Sequence, residues 1–379
     1  MRKPRHICFV VEGYPAPGDP FMPFIRNTVA GIARQGIKCT VLCPQSVTRS
    51  LVRRLPIRPV RWRDELSDGS CINVVQPRYV TFSGRAGKFN QRAFVSAVKI
   101  GYGSIADTPD ALYAHFWHMG VIASILDPEK PLFVACGESK ISACERFSND
   151  EIASMKQQLQ GVIYVSSKSR DEAISLGLQN DTPFLVLPNG VDEAVFHPLD
   201  RTKMRDELGW SQDAFVVAFV GAFNDRKGSS RLDGALARLN SSGRVCSCFI
   251  GSGEAVPTCQ NVIFCGRVPN EEIPKYLSAS DIFVLPTLNE GCCNAIVEAL
   301  ACGLPVVSSS DEFNDDILDE GNSLRVDPLD IVNIAEAIER LKDDEPLRAT
   351  LSSGALETAR GLRTNARCKR IVEFMETTL

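Results

Sequence analysis

The 379 residues predict an α/β protein of two doubly wound, Rossmann-like parallel-sheet domains. Three observations carry this. Short β-rich apolar runs alternate with helical patterns along most of the chain, the order of strand and crossover helix in parallel sheets. Two of the runs lead into a glycine-containing loop and then a helix, and such loops lie at the carboxyl edge where these sheets bind ligands. The length suits two domains of about 150 to 200 residues rather than one core.

Taken in order, Ile7 to Val11 reads as a buried strand, followed by a loop from Glu12 to Pro20 that contains Gly13. A helix fits Phe24 to Gln35, closed by Gly36, and Lys38 to Cys43 is the next strand. Further strands fit Ala111 to Ala114, Leu132 to Ala135, Gly161 to Val165 and Phe184 to Leu187. After a polar stretch a second series begins: Phe215 to Val220, Val245 to Ile250, Asn261 to Cys265, Asp281 to Pro286 and Pro305 to Ser308. A linker is expected near residues 190–212, with domains 1–195 and 196–364. Residues 365–379 carry Ile371, Val372, Phe374 and Met375 at helical spacing, so a terminal helix packing back on the first domain is expected.

Composition excludes several classes. A hydrophobic share of 44% with 23% charge is that of a packed protein, not of a disordered, collagenous or coiled-coil chain. No apolar run approaches the roughly 18 to 20 residues of a membrane span. The basic start leads into about five apolar residues, a buried strand rather than a signal peptide, and a cytoplasmic chain is expected. Charge is uneven: residues 1–110 carry 17 Lys and Arg against 7 Asp and Glu, and the remainder 25 against 39. No nucleic-acid partner is expected. The fourteen cysteines include no C-x-x-C pair and there are four histidines, so reduced thiols are expected, with neither a disulfide framework nor a metal site.

The strongest chemical signal runs from Asp281 to Ser308. A strand ends at Pro286, a short loop carries Glu290 and Gly291, and a helix starts near Asn294 and stops at Gly303, with Pro305 before the next strand. The free N–H groups of Cys292, Cys293 and Asn294 at that helix start form a site for an anion such as a diphosphate. Glu290 is placed to accept from hydroxyls, and Glu298, one turn on, can reach another hydroxyl pair; alone, Glu298 reads more readily as a partner of the helix dipole.

A second signal is Val220 to Ser230. The buried strand ends in a turn at Gly221 that presents Arg226 and Lys227 side by side before Gly228 and a helix. A fork of donors beside a point charge suits phosphate oxygens that gain negative charge as a leaving group departs. A third is Tyr113 to Gly120, where His115 and His118 flank Phe116 and Trp117 at a strand end. Read from the residues alone, cleft and core are both open there. Two glycine patterns are set aside: Gly101-x-Gly103 follows a helix rather than a strand, and after Gly251-x-Gly253 the residue Pro257 arrives too soon for the required helix.

These residues resemble glycosyltransferase family 4, the retaining glycosyl transferases group 1 of GT-B fold, over most of the chain. Glu290 to Glu298 looks like the family's E-x7-E signature, with Glu-Gly-Cys-Cys-Asn where E-G-F-P-N is usual. Val186 to Phe196 resembles the domain-junction motif around IPNGVD, and Ser166 to Gly177 the helix before it. The resemblance implies two Rossmann-like domains facing a cleft, the first for the acceptor and the second for the nucleotide sugar. It implies that Arg226 and Lys227 bind the donor diphosphate, that Glu290 holds hydroxyls of the transferred sugar, and that Glu298 holds the ribose. His118 would line the sugar site, with His115 competing for that role, and Gly13 would lie in a loop near the donor phosphates. Ala222 stands where many members have the Arg of G-R, which leaves Arg226 to supply that charge, and Ala135 to Ser139 replaces a segment that often reads T-x-H-G-x-D.

The function expected is transfer of a hexosyl unit from a nucleotide diphosphate sugar to an acceptor hydroxyl with retention, in polysaccharide, lipopolysaccharide or other envelope-glycan biosynthesis, with no cofactor and no metal. A nucleotide-sugar epimerase of the same architecture and a non-catalytic sugar-nucleotide binding protein are the alternatives. Arg49, Arg53, Arg54, Arg58, Arg61 and Arg63, interleaved with Leu51, Leu55 and Trp62, suit an anionic membrane surface or phosphate-bearing acceptor as well as they suit a solvated face. A glycan or lipid-linked acceptor and a peripheral position on the inner face of the cell membrane are therefore expected.

Overall fold

A computed structural model describes residues 3–15, 22–82, 87–239 and 245–379. The chain forms two compact units: one comprises the chain up to Val165 with Ser169–Leu187 and Cys368–Leu379, the other Ser166–Lys168 and Pro188–Arg367. In chain order the elements up to residue 187 are β1 (His6–Val10), α1 (Pro23–Ala33), β2 (Lys38–Leu42), β3 (Gln45–Ser46), α2 (Val47–Val52), β4 (Arg61–Glu65), β5 (Cys71–Val75), β6 (Arg78–Tyr79), α3 (Gly87–Gly103), β7 (Ala111–His115), α4 (Trp117–Ser124), β8 (Leu132–Cys136), α5 (Ala143–Arg146), α6 (Asn149–Gln158), β9 (Leu159–Tyr164), α7 (Ser167–Ser175) and β10 (Phe184–Val186). Then follow α8 (Arg201–Leu208), β11 (Phe215–Phe223), α9 (Ser229–Leu239), β12 (Val245–Gly253), β13 (Val262–Gly266), α10 (Ile273–Ser278), β14 (Ile282–Leu285), α11 (Asn294–Ala301), β15 (Val306–Ser309), β16 (Ser323–Val326), α12 (Ile331–Asp343), α13 (Glu345–Gly361) and α14 (Thr364–Thr378).

The first unit's sheet has the order β10-β9-β8-β7-β1-β2-β5-β4, parallel throughout except for β4, which pairs antiparallel with β5 at the edge. The second unit's sheet, β13-β12-β11-β14-β15-β16, is wholly parallel. Strands such as β1, β7, β8 and β14 are buried along their whole length, as strands covered on both faces must be, and this is why they read as unbroken apolar runs. Each sheet reverses direction once. In the first unit the chain steps outward from β1 to β2 and then returns to place β7 on the other side of β1; in the second it leaves β11 for β12 and β13 and returns to β14. Ligands bind at such reversals, beyond the strands' carboxyl ends.

One expectation changes. The expected linker at 190–212 is folded into the second unit, whose boundary lies at Leu187/Pro188 and not at 195. Val191 bridges to Arg363, Phe196 joins the core, and α8 carries the fully buried Arg205. Its guanidinium donates to the carbonyls of Ala279, Ser211, Gln212 and Ala214 and to Asp281 Oδ2 at 2.8 Å. The basic stretch 49–63 lies largely in α2 and β4 and in the segment that joins them. Residues 16–20 of the loop expected to run to Pro20 lie outside the described residues. The terminal helix packs as expected: Cys368, Ile371, Val372 and Met375 are buried in the first unit's core, and the Phe374 ring lies 6.4 Å from that of Phe133. Each large apolar side chain buried this way contributes about 1.5–3 kcal/mol.

Removing one partner of a buried, hydrogen-bonded ion pair leaves the other charge uncompensated. Arg205→Ala is therefore expected to cost the second unit roughly 3–5 kcal/mol in urea unfolding. A loss below about 1 kcal/mol would mean that the guanidinium is not held as described.

Candidate active site

In the second unit the loops after β11 and β14 are tied together at the sheet reversal. The turn Asn224–Gly228 is closed by Asn224 Oδ1, which accepts the Lys227 N–H at 2.9 Å. Gly228 has φ +78°, and a Cβ there would lie 2.3 Å from the Pro286 carbonyl oxygen, so only glycine lets this turn press on the end of β14. Buried Arg231 reinforces the contact, donating to the carbonyls of Asp225 and Pro286 at 2.7 and 2.9 Å. From the β14 side, the Leu288 N–H donates to the Arg226 carbonyl at 2.8 Å, and Thr287 Oγ1 lies 3.1 Å from the same oxygen.

This brings Arg226 and Lys227 against Glu290. Glu290 is 8% exposed, and its Oε1 accepts from Arg226 Nη1 at 2.6 Å and from Thr287 Oγ1 at 3.0 Å, with Lys227 Nζ at 2.7 Å. Arg226 Nη1 also donates to the Asn289 carbonyl, and Lys227 Nζ donates to Cys293 Sγ at 3.6 Å. The Lys227 ammonium is held above its ordinary pKa: burial works against the charge, but the Cys293 sulfur and the Glu290 carboxylate outweigh it. The residues expected to take phosphate and the residue expected to take sugar hydroxyls are thus bonded to one another.

Helix α11 begins at Asn294 with Cys293 in the cap position and no side chain capping it, so its first N–H groups lack intrahelical partners. Asn189 pins this end, donating from Nδ2 to Asn294 Oδ1 at 2.8 Å and from its backbone N–H to Cys292 Sγ at 3.4 Å. Glu298 lies in the second turn of α11. Burial raises its pKa to about 8, against the pull of Lys227, so it carries its proton at neutral pH. Gly221 sits on β11, where a Cβ would lie 3.6 Å from the Lys227 stem.

The remaining expected residues belong to the first unit, at its own sheet reversal. Gly13 is buried after β1, beside the exposed Glu12. His118 Nε2, on α4, lies 3.6 Å from Glu12 Oε2, and its ring stacks on Phe116 at 5.8 Å. The histidine lowers the Glu12 pKa. His115 is different: its ring packs against Phe116 and Phe24 at 4.7 and 5.2 Å. Phe116 has φ +82°, a strained value for a side chain of that size, and the N–H that follows it, from Trp117, is held by Glu138 Oε1 at 2.7 Å. Burial raises the Glu138 pKa.

Reasoning from sequence singled out neither Thr287, Asn189, Glu12 nor Glu138 as a site residue. Thr287 and Glu12 each neighbour a residue that was chosen, three before Glu290 and one before Gly13. Asn189 and Glu138 stand in segments noted only for their likeness to, or departure from, a family pattern.

The model of the family Glycosyl transferases group 1 matches residues 200–358. The TuaC protein of Bacillus subtilis (strain 168), which its name assigns to teichuronic acid biosynthesis as a glycosyltransferase, is 27% identical over 369 residues, 93% of each chain. Among solved structures, sucrose-phosphate synthase from Thermosynechococcus elongatus superposes with a TM-score of 0.76 at 18% identity, over 98% of both chains. Anabaena Alr3699/HepE, solved in complex with UDP and glucose, gives 0.69 at 20% identity, over 99% of this chain and all of that one. The chain is a glycosyltransferase whose residues 200–358 carry the group 1 match, and its fold is GT-B.

A carboxyl whose folded pKa of about 8 lies above its ordinary 4.5 binds its proton more tightly in the folded state, so stability falls as pH rises between those values. Glu298→Gln removes that dependence. Its melting temperature is expected to gain steadily on the parent's from pH 5 to pH 8, and a difference that stays constant with pH would contradict a Glu298 that carries its proton at neutral pH.

Proposed function

We propose that the protein transfers a hexosyl unit from a nucleotide diphosphate sugar to an acceptor hydroxyl, with retention at the anomeric carbon, as a member of glycosyltransferase family 4. The observation that carries this reading is the cluster of Arg226, Lys227 and Glu290 at the reversal of the second unit's sheet, where both cations lie within 2.7 Å of the Glu290 carboxylate. Such transfer needs stabilised departure of the diphosphate more than it needs a protein nucleophile. Arg226 supplies a fork of donors and Lys227 a point charge, and the start of α11 adds unpaired N–H groups and the positive end of a helix dipole. With these the leaving group's charge is met without a metal. Glu290 takes hydroxyls of the transferred sugar, and Glu298 the ribose. Attack from the face that the diphosphate leaves gives retention. In the first unit, His118 is the histidine we assign to substrate, since its Nε2 faces the Glu12 carboxylate at 3.6 Å.

The acceptor in this reading is an envelope glycan or its polyprenyl-diphosphate-linked precursor, a proposal supported by the name of the Bacillus subtilis relative. The first unit carries a surface suited to presenting it. Leu51 and Val52 on α2 are 64% and 84% exposed, with Leu55 and Val60 also exposed in the segment that follows. Arg49, Arg53 and Arg54 lie among them, while Arg58 and Arg61 are partly engaged, donating to the carbonyls of Tyr14 and Ser104. Thr48 on α2 binds Thr81, which holds beside this helix the segment carrying exposed Phe82, itself in ring contact with exposed Phe89 at 5.2 Å. Apolar side chains among arginines suit a leaflet rich in anionic lipid. No helix among the described residues is long and apolar enough to cross a membrane, so the association proposed is peripheral, on the cytoplasmic face.

Two experiments follow. Thermal-shift screening of nucleotide diphosphate sugars identifies the donor, and with it Arg226→Ala and Lys227→Ala are each expected to lose about 100-fold or more in transfer while keeping a single cooperative melting transition below that of the parent. Near-parental turnover in both would sink the assignment. In flotation, the protein is expected to rise with vesicles containing phosphatidylglycerol and not with pure phosphatidylcholine, and Leu51→Glu/Val52→Glu should abolish that preference; equal recovery with both vesicles would remove the membrane role.

A further inference from the structure

We infer that Glu290 acts as an exchangeable counter-ion of the phosphate cradle, and that this exchange biases the site toward the intact sugar nucleotide over the nucleoside diphosphate left after transfer. The inference rests on the proposed reading that the donor is a nucleotide diphosphate sugar.

Both cations of the cradle are paired with a carboxylate of the protein itself. Arg226 Nη1 and Lys227 Nζ meet at Glu290 Oε1, within 2.7 Å each, and Thr287 adds a third donor to the same oxygen. A diphosphate that reaches these cations therefore competes with a nearly buried carboxylate for them. Two anions in a poorly screened setting repel, and the repulsion grows with the charge of the incoming group. A phosphate esterified to a sugar carries one negative charge. The terminal phosphate of a nucleoside diphosphate is attached through its anhydride oxygen alone and carries between one and two at neutral pH, so Glu290 penalises the product more than the donor.

Hydrogen bonding acts in the same direction. When its cations turn toward phosphate, Glu290 keeps Thr287 and loses its two charged donors, and a buried carboxylate left short of donors is costly. A bound hexosyl group brings hydroxyls that can replace them; a nucleoside diphosphate brings none at that place. Donor binding is a swap in which every group finds a new partner, and product binding is an incomplete one. Glu290 is thus a specificity-determining residue, acting on both the sugar and the charge of what occupies the cradle.

The test compares affinities by isothermal titration calorimetry on the full chain, with UDP, GDP and ADP, their glucose and mannose conjugates, and inorganic pyrophosphate. For the base that binds, the ratio of the dissociation constant of the nucleoside diphosphate to that of the sugar nucleotide is expected to fall about tenfold in Glu290→Gln. That fall should come from tighter binding of the nucleoside diphosphate as well as weaker binding of the sugar nucleotide, and pyrophosphate should also bind more tightly. Glu290→Asp keeps the charge and is expected to show no gain for pyrophosphate, which tests the charge argument in a second variant should the amide disturb the fold. Unchanged or weaker binding of the nucleoside diphosphate and of pyrophosphate by Glu290→Gln overturns the inference, as does an equal gain in Glu290→Asp. If the parent protein binds none of the sugar nucleotides, the donor reading itself fails, an outcome distinct from a parent that binds them but whose ratio does not respond to Glu290.

Discussion

Glu290 Oε1 is shared by a guanidinium, an ammonium and a hydroxyl, and two of these three donors come from a loop more than sixty positions earlier in the chain. The arrangement depends on how closely the β11 loop approaches the end of β14. Gly228 permits that approach, Arg231 clamps it, and the parallel pairing of β11 with β14 aligns the two loop origins. The charges in turn hold the loops: with Arg226 and Lys227 paired to one carboxylate, two cations can stand side by side without a bound anion. The chemistry of the second unit and its local stability therefore share the same three side chains.

Both units use the same topological device for different chemistry. At the reversal of the first sheet the ends of β1 and β7 bring Glu12 to His118; at the reversal of the second the ends of β11 and β14 bring Lys227 to Glu290. One site is a histidine facing a carboxylate on an aromatic platform, the other a cradle of cations around a buried acid. Of the seventeen basic residues of 1–110, six lie between positions 49 and 63, from α2 into β4.

Much of this was legible in the sequence, and the exceptions have physical reasons. Buried parallel strands announce themselves because both faces are apolar, and the strands expected at β1, β7, β8, β11 and β14 lie within three residues of their observed limits. The edge strand β4, Arg-Trp-Arg-Asp-Glu, has no such signature, since only Asp64 in it is buried, and that carboxylate is taken up by Arg26 and Tyr14. Residues 190–212 look like a linker because they are polar, yet Arg205 is buried with its donors satisfied by carbonyls and Asp281, a compensation that composition cannot reveal. In the site, residue types and spacing single out Arg226, Lys227, Glu290 and Glu298. That the first three bond to one another depends on a contact between loops, and that Glu298 is protonated depends on burial; neither is a property of spacing.

The path of the chain has a consequence for how the protein is made. Cys368, Ile371, Val372 and Met375 complete the first unit's core, yet they follow the whole of the second unit in the chain. On the ribosome the first unit waits, its apolar surface incomplete, while about 180 further residues are synthesised. The second unit's sheet is continuous in sequence and has no such wait. Order of synthesis and order of completion are thus opposed, and the interval between them is when the nascent chain most needs protection from aggregation.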